Sequence, residues 1–294
     1  MKIGIAYKPT AGGFLRYGEN DYKKIKSFGY DAIDLSLAET ESPIYAQDDA
    51  AFEQWALRQK ALIAEAGLVL SQVHGPWRWP PQDSTPEDRR ERMEKMKRSL
   101  WITRLLGCKH WVVHPIMPFG TKDPESDEGQ KTWELNLSFM TELLAYAKEQ
   151  DIIICLENMP MPQFSLGAPA DVLRVAQALN DEHFKLCLDT GHLLRIPNLS
   201  VGKTVRELKG ELKVLHVHDN MGDHDRHLWP TQGILDWSEF VSALREIGFD
   251  GVFSLETAPS ADLNDADFEA ACKELYGIAA RIVSGEYISK ETNV

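Results

Sequence analysis

Ile152-Ile153-Ile154-Cys155-Leu156-Glu157 is an apolar run that ends on a carboxylate, and Val252-Phe253-Ser254-Leu255-Glu256 ends the same way. Short runs rich in β-branched residues read as buried strands rather than helices. An acid at the end of such a strand is costly to bury unless positive charge meets it, and a metal ion would supply that charge. Comparable runs cover Lys2 to Ala6, Ala32 to Leu35, Leu68 to Val73, His110 to His114, Phe184 to Leu188 and Lys213 to Val217, giving eight candidate strands. Six of the eight end on or beside a metal-ligating residue type: His74, His114, Glu157, Asp189 with His192 beyond it, His216 with His218, and Glu256.

Helical periodicity fills the intervals, at Asp48 to Ala66, Thr85 to Leu106, Thr132 to Glu149, Pro169 to Leu179, Trp237 to Ile247 and Ala266 to Val283. Thr85-Pro86-Glu87-Asp88 has the order of a capping box, with a hydroxyl at N-cap, proline at the first helical position and an acid at the third. Asp236-Trp237-Ser238-Glu239 repeats the pattern. Gly29, Gly67, Gly107 and Gly248 stand where helices must turn back into strands. Strict alternation of strand and helix predicts a parallel sheet with right-handed crossovers. Eight such units in 294 residues predict a single-domain α/β protein, a (β/α)8 TIM barrel spanning 1–294. The alternative, an open doubly wound sheet, lacks a Gly-x-Gly-x-x-Gly after its first strand, because Lys8 to Gly13 has no such spacing.

Composition narrows the function. The formal net charge of -13 opposes a broad polyanion-binding surface, so nucleic acid is not the expected partner. The basic run from Arg89 through Arg98 is interleaved with glutamates and reads as a solvated helix face. Cys108, Cys155, Cys187 and Cys272 form no Cys-x-x-Cys pair and read as core thiols in a reducing compartment. The apolar N-terminus is too short for a signal or membrane segment, so the expectation is a cytoplasmic protein with no membrane partner.

In a barrel, residues at the C-terminal ends of different strands converge on one mouth. Asp189-Thr190-Gly191-His192 places two candidate ligands three residues apart at a strand exit, and His216-Val217-His218 puts two imidazoles on one side of a strand. Oxygen ligands with one imidazole suit Mn²⁺, Co²⁺ or Mg²⁺, and a larger histidine share shifts the preference toward Zn²⁺.

These residues, with Leu156-Glu157-Asn158-Met159-Pro160, Leu188-Asp189-Thr190-Gly191-His192, His216-Val217-His218-Asp219-Asn220 and Ser254-Leu255-Glu256, resemble the xylose isomerase-like TIM-barrel superfamily over nearly the whole chain. That superfamily joins sugar phosphate isomerases and epimerases with endonuclease IV. His227-Leu228-Trp229-Pro230 and Gly233-Ile234-Leu235-Asp236-Trp237 are similar to an epimerase loop, with Thr231 in place of one of its glycines. The resemblance implies a metal quartet of Glu157, Asp189, His216 and Glu256. It favours His216 over His218 because the family's histidine lies three residues before an acid, here Asp219.

It further implies carbohydrate metabolism, in the form of divalent-metal-dependent isomerisation or epimerisation of a ketose or polyol-derived sugar through a metal-bound enediolate. Glu157 and Glu256 would be the general base and acid. His192, His218 and Arg226 would be substrate partners, and Trp77, Trp79 and Trp229 would face the sugar or pack the mouth. Pro115 to Gln130 would be a lid or an extended connection, and the family's members commonly form homo-oligomers.

A lyase or dehydratase could use the same chemistry, and a non-catalytic sugar-binding barrel is a third class. The endonuclease IV branch supplies a further alternative, a three-zinc phosphodiesterase acting on DNA, with His74, His114, His192, Asp225 and His227 as additional metal ligands. Against it, Met159-Pro160-Met161-Pro162-Gln163 stands where that branch has Gly-Gln-Gly, and Gly191 stands where it has cysteine.

Overall fold

A computed structural model of the chain describes residues 1–8, 16–38, 42–77, 83–116, 123 and 125–286. Its eight strands are β1 (Lys2–Tyr7), β2 (Ala32–Ser36), β3 (Val69–His74), β4 (His110–Val113), β5 (Ile153–Glu157), β6 (Phe184–Asp189), β7 (Leu212–His216) and β8 (Val252–Leu255). All seven registered neighbour pairs are parallel, in the order β7-β6-β5-β4-β3-β2-β1-β8. The circle closes just beyond β7. The Val217 N–H donates to the Ser254 carbonyl at 2.8 Å, and the Glu256 N–H donates to the Val217 carbonyl at 3.0 Å. The result is a (β/α)8 TIM barrel.

Nine α-helices are described: α1 (Asp21–Ser27), α2 (Asp49–Glu65), α3 (Pro86–Leu106), α4 (Asp127–Glu149), α5 (Pro169–Leu179), α6 (Thr190–Leu194), α7 (Val201–Glu207), α8 (Trp237–Glu246) and α9 (Asp265–Ser284). The expected capping box is present: the Asp88 N–H donates to Thr85 Oγ1 at 3.1 Å, and the Thr85 N–H donates to Asp88 Oδ2 at 3.2 Å. Gly29, Gly67, Gly107 and Gly248 all have positive φ. Among the described residues no helix is long and apolar enough to cross a membrane. The four cysteines are free and buried.

Three expectations need correction. Helices α1, α6 and α7 arise where no helix was read, and α4 starts five residues before Thr132 because the Ser126 side chain accepts the Gly129 N–H at 3.0 Å. Residues 127–130, read as part of a lid or connection, therefore belong to a helix, while 117–122, 124 and Trp79 lie outside the described residues. Arg92 is not on a solvated face; its guanidinium is buried and donates to Asp83.

The alternation of side chains along each strand positions the site. Trp111, Val113, Ile154, Leu156, Leu186, Leu188 and Leu215 belong to the main core. The residues between them, Val112, Cys155, Cys187 and Val214, form a separate buried cluster on the opposite face of their strands, inside the barrel. Two positions further along each strand, on that same inner face, come His114, Glu157, Asp189 and His216. Strand period alone therefore aims four chemically active side chains into the lumen at its C-terminal end.

Candidate active site and metal centre

Seven of the nine histidines, His74, His114, His192, His216, His218, His224 and His227, gather at this end of the barrel or in the loop after β7. Five of them, His74, His114, His192, His224 and His227, line a cavity of about 420 Å³ together with Glu157 and Glu256. One ligand atom from each of Glu157, Asp189, His216 and Glu256 lies within 4.8 Å of the other three. His216 is the hub: its Nδ1 stands 2.9 Å from Glu157 Oε1 and 3.3 Å from Glu256 Oε2.

Backbone carbonyls fix the histidine tautomers, because a carbonyl only accepts and the ring nitrogen facing it must carry the proton. His74 Nδ1–H donates to Gly75 O at 2.8 Å, His192 Nδ1–H to Asn158 O at 2.7 Å, His218 Nδ1–H to Asp219 O at 3.2 Å, and His227 Nδ1–H to Glu256 O at 2.7 Å. Each Nε2 is thereby turned toward a carboxylate. His74 faces Glu157 Oε2 at 3.3 Å, His218 faces Asp189 Oδ2 at 3.1 Å, and His192 and His227 both face Asp225 Oδ2 at 3.3 Å. A lone pair against a carboxylate oxygen is repulsive unless a cation, proton or metal, lies between them. This is the outer-shell geometry that orients imidazole ligands toward a metal.

Titration shifts follow from the crowding. Burial works against charging His192, but Asp189, Asp225 and Glu157 outweigh it and hold the ring up to about 10. His227 is likewise raised to about 9, burial being overcome by Asp225 and Glu256. His114 goes the other way, to about 4, because burial outweighs Glu157. The two glutamates diverge. Burial raises Glu256, with help from Glu157 and Asp189, whereas His216 and His114 overcome burial and hold Glu157 well below the usual range. Two nearby carboxyl groups pushed apart in this way are suited to opposite proton-transfer roles.

Unpartnered buried polar atoms concentrate at the same place, among them Glu256 Oε2, His216 Nε2, His114 Nδ1, Asp34 Oδ1 and Ser254 Oγ. His216 Nε2 stands 3.1 Å from Asp34 Oδ2 but is not aligned with it as a hydrogen bond. Orphaned donors and acceptors at this density, beside four converging ligand atoms, fit a divalent cation. Protons and a metal would compete there for the same lone pairs.

Other residues singled out in the sequence are placed as follows. His74 and His114 sit against Glu157. Asp225 joins His192 and His227, and His218 lies close to both Asp189 and Asp225. Gly191 makes room for that imidazole, since a Cβ there would stand 1.9 Å from His218 Cε1. Trp77 lines the cavity, its ring centroid 4.8 Å from that of His114.

Three proposed substrate partners are placed elsewhere. The Arg226 guanidinium is taken up by Asp223 on the exposed side of its loop, His218 is fully buried, and the Trp229 indole N–H donates to Ala258 O at 3.3 Å while its ring packs on the core. None of the three lines the cavity; Arg195, Lys8, Met159, Met161 and Gln163 do. The sequence reading also missed Asp34, which extends the His216 hub, and Gln72, whose Nε2 donates to Asp34 Oδ2 at 2.9 Å. Asp34 carried a signal, as a lone charge inside the apolar run Ala32 to Leu35; Arg195 carried none.

A profile of the xylose isomerase-like TIM barrel family matches residues 22–275. The chain is 26% identical over 263 residues to a D-psicose 3-epimerase of Enterocloster bolteae, covering 87% of this chain and 82% of that protein. It is 26% identical over 177 residues to an inosose isomerase of Bacillus subtilis, covering 56% of this chain and 60% of that protein. Across such relatives the chain spans from about half to about four fifths of their length. Among solved structures, a D-tagatose 3-epimerase-like protein shares the fold with a TM-score of 0.73 and 21% identity, over 97% of this chain and 99% of that one.

Proposed function

This chain belongs to the xylose isomerase-like TIM barrel family, and on that premise we propose that it is a divalent-metal-dependent sugar isomerase or epimerase working on a ketose or related polyol. The observation that carries the reading is the meeting of Glu157, Asp189, His216 and Glu256, two of which, Glu157 and Glu256, line a cavity large enough for a monosaccharide. Those four residues would hold the cation, Mn²⁺, Co²⁺ or Mg²⁺ by their oxygen-rich donor set, with Zn²⁺ the alternative. When bound, it supplies Lewis-acid charge opposite the negative charge that develops on substrate oxygens.

The proton chemistry belongs to the chain. Glu157, held ionised by His216 and His114, is suited to remove the proton from the carbon next to the carbonyl. Glu256, with its raised affinity for a proton, is suited to deliver one. Both stand close to His216 Nδ1, at 2.9 and 3.3 Å. Proton removal on one face leaves an enediolate, and return on the opposite face inverts the carbon; return to the neighbouring carbon isomerises the sugar instead. Trp77, Met159 and Met161 contribute apolar lining to the same cavity, which would limit water near the exchanging proton.

A second reading draws on donors beyond the quartet. His74 with Glu157 and His216, and Asp225 with His218 and His227, each bring three ligand atoms together, and His192 also faces Asp225. Donors for more than one cation suit a three-zinc phosphodiesterase. The -13 net charge weighs against a DNA substrate. Metal analysis with turnover assays on D-psicose, D-fructose, L-ribulose and abasic-site DNA separates the readings. One equivalent of metal with ketose turnover supports the first, and three of zinc with strand cleavage replaces it by the second.

A further inference from the structure

Asp219 lies three residues past the end of β7, and its side chain is not among those lining the cavity. Its carboxylate is fully buried yet fully partnered. Oδ1 accepts the N–H groups of Asn220 at 2.9 Å and Leu235 at 3.1 Å, and Oδ2 accepts the Thr231 N–H at 3.0 Å and the Trp237 indole N–H at 3.2 Å. Asn220 and Leu235 lie near the two ends of the segment between β7 and α8, so a single carboxylate closes that segment into a loop. The backbone adds to the closure, because Asp219 and Leu228 exchange hydrogen bonds at 2.8 and 3.0 Å.

The loop carries Asp225 and His227 into the cavity. It also holds two non-glycine residues in the left-handed region, His227 at φ 47° and Thr231 at φ 80°. A β-branched residue stays there only when its surroundings over-determine it. Thr231 is fixed by the same N–H that Asp219 accepts. Gly233 packs directly on the clamp, since a Cβ there would stand 2.3 Å from Asp219 Oδ1.

We propose that Asp219 is a positioning residue: it sets the loop between β7 and α8 so that Asp225 and His227 face His192 and Glu256 across the cavity, without itself meeting substrate. The inference rests on reading this mouth as the active site, but its test reads the loop and not turnover. Absence of ketose turnover in the wild-type protein would remove the functional reading and leave the loop result standing.

The experiment is amide hydrogen exchange together with imidazole ¹⁵N spectra of Asp219→Asn, in which an NH₂ group replaces one accepting oxygen. We expect exchange at least tenfold faster at Thr231 and Leu235, loss of the His227 ring N–H resonance, unchanged protection of β7, and partial recovery when Thr231→Gly is added. Should that variant fail to fold, Gly233→Ala, which pushes the loop off an intact carboxylate, is expected to give the same local signature. Unchanged loop exchange and an unchanged His227 signal would overturn the proposal, as would loss of protection spread evenly over the strands.

Discussion

His216 is flanked by carboxylates at both ring nitrogens, Glu157 and Glu256 beside Nδ1 and Asp34 beside Nε2, and Asp34 is itself held by Gln72. Outer-shell carboxylates of this kind typically matter about 10–100-fold in metal affinity. Asp34→Asn is therefore expected to weaken Co²⁺ or Mn²⁺ binding by that order in a direct titration, with the fold intact by circular dichroism. Glu157→Gln and Glu256→Gln are each expected to lower kcat by about 10²–10⁴-fold, the usual contribution of a positioned acid or base; full activity in both variants would rule out the proposed proton transfer. At this scale the proposed metal quartet, Glu157, Asp189, His216 and Glu256, was readable because each of its residues breaks or ends an apolar run, although Asp34, which also breaks one, was missed. Arg195 escaped because it enters the cavity from the end of a short helix, a placement that no periodicity encodes. Arg226 does not line the cavity; an exposed Asp223 three residues earlier takes up its guanidinium.

All eight strands were legible as elements, with ends shifted by one residue or less, because each is a short apolar run. The long helices were legible from their periodicity, and the starts of α3 and α8 from their caps, whereas the Ser126 cap of α4 was not read. The shorter α1, α6 and α7 were not: of five to seven residues each, they carry too few turns for a periodic stripe and exist because the barrel packs them. Thr85→Ala removes the hydroxyl half of the α3 capping box and is expected to cost about 1 kcal/mol in urea unfolding. Thr231→Gly works the other way. Relief of a strained φ worth roughly 1–3 kcal/mol, offset in part by glycine's extra chain entropy, should raise the melting temperature while the Asp219 clamp holds the loop in register.

At the scale of the whole molecule, the barrel collects side chains from residue 34 to residue 256 onto one inner face. No local segment of the sequence displays that convergence; it follows from strand alternation and closure between β7 and β8. The same convergence crowds buried carboxylates and imidazoles, so a bound cation should stabilise the native state. At a free metal concentration near 100 times Kd the gain is about 2.7 kcal/mol. EDTA treatment is therefore expected to lower the melting temperature by roughly 4–5 °C for a chain of this size, and added Mn²⁺ to restore it. The most direct test of the metal centre is anomalous diffraction from crystals grown with Mn²⁺. We expect a peak bounded by Glu157, Asp189, His216 and Glu256; a map with no ion among those four side chains, or with the ion bound elsewhere in the barrel, would contradict it.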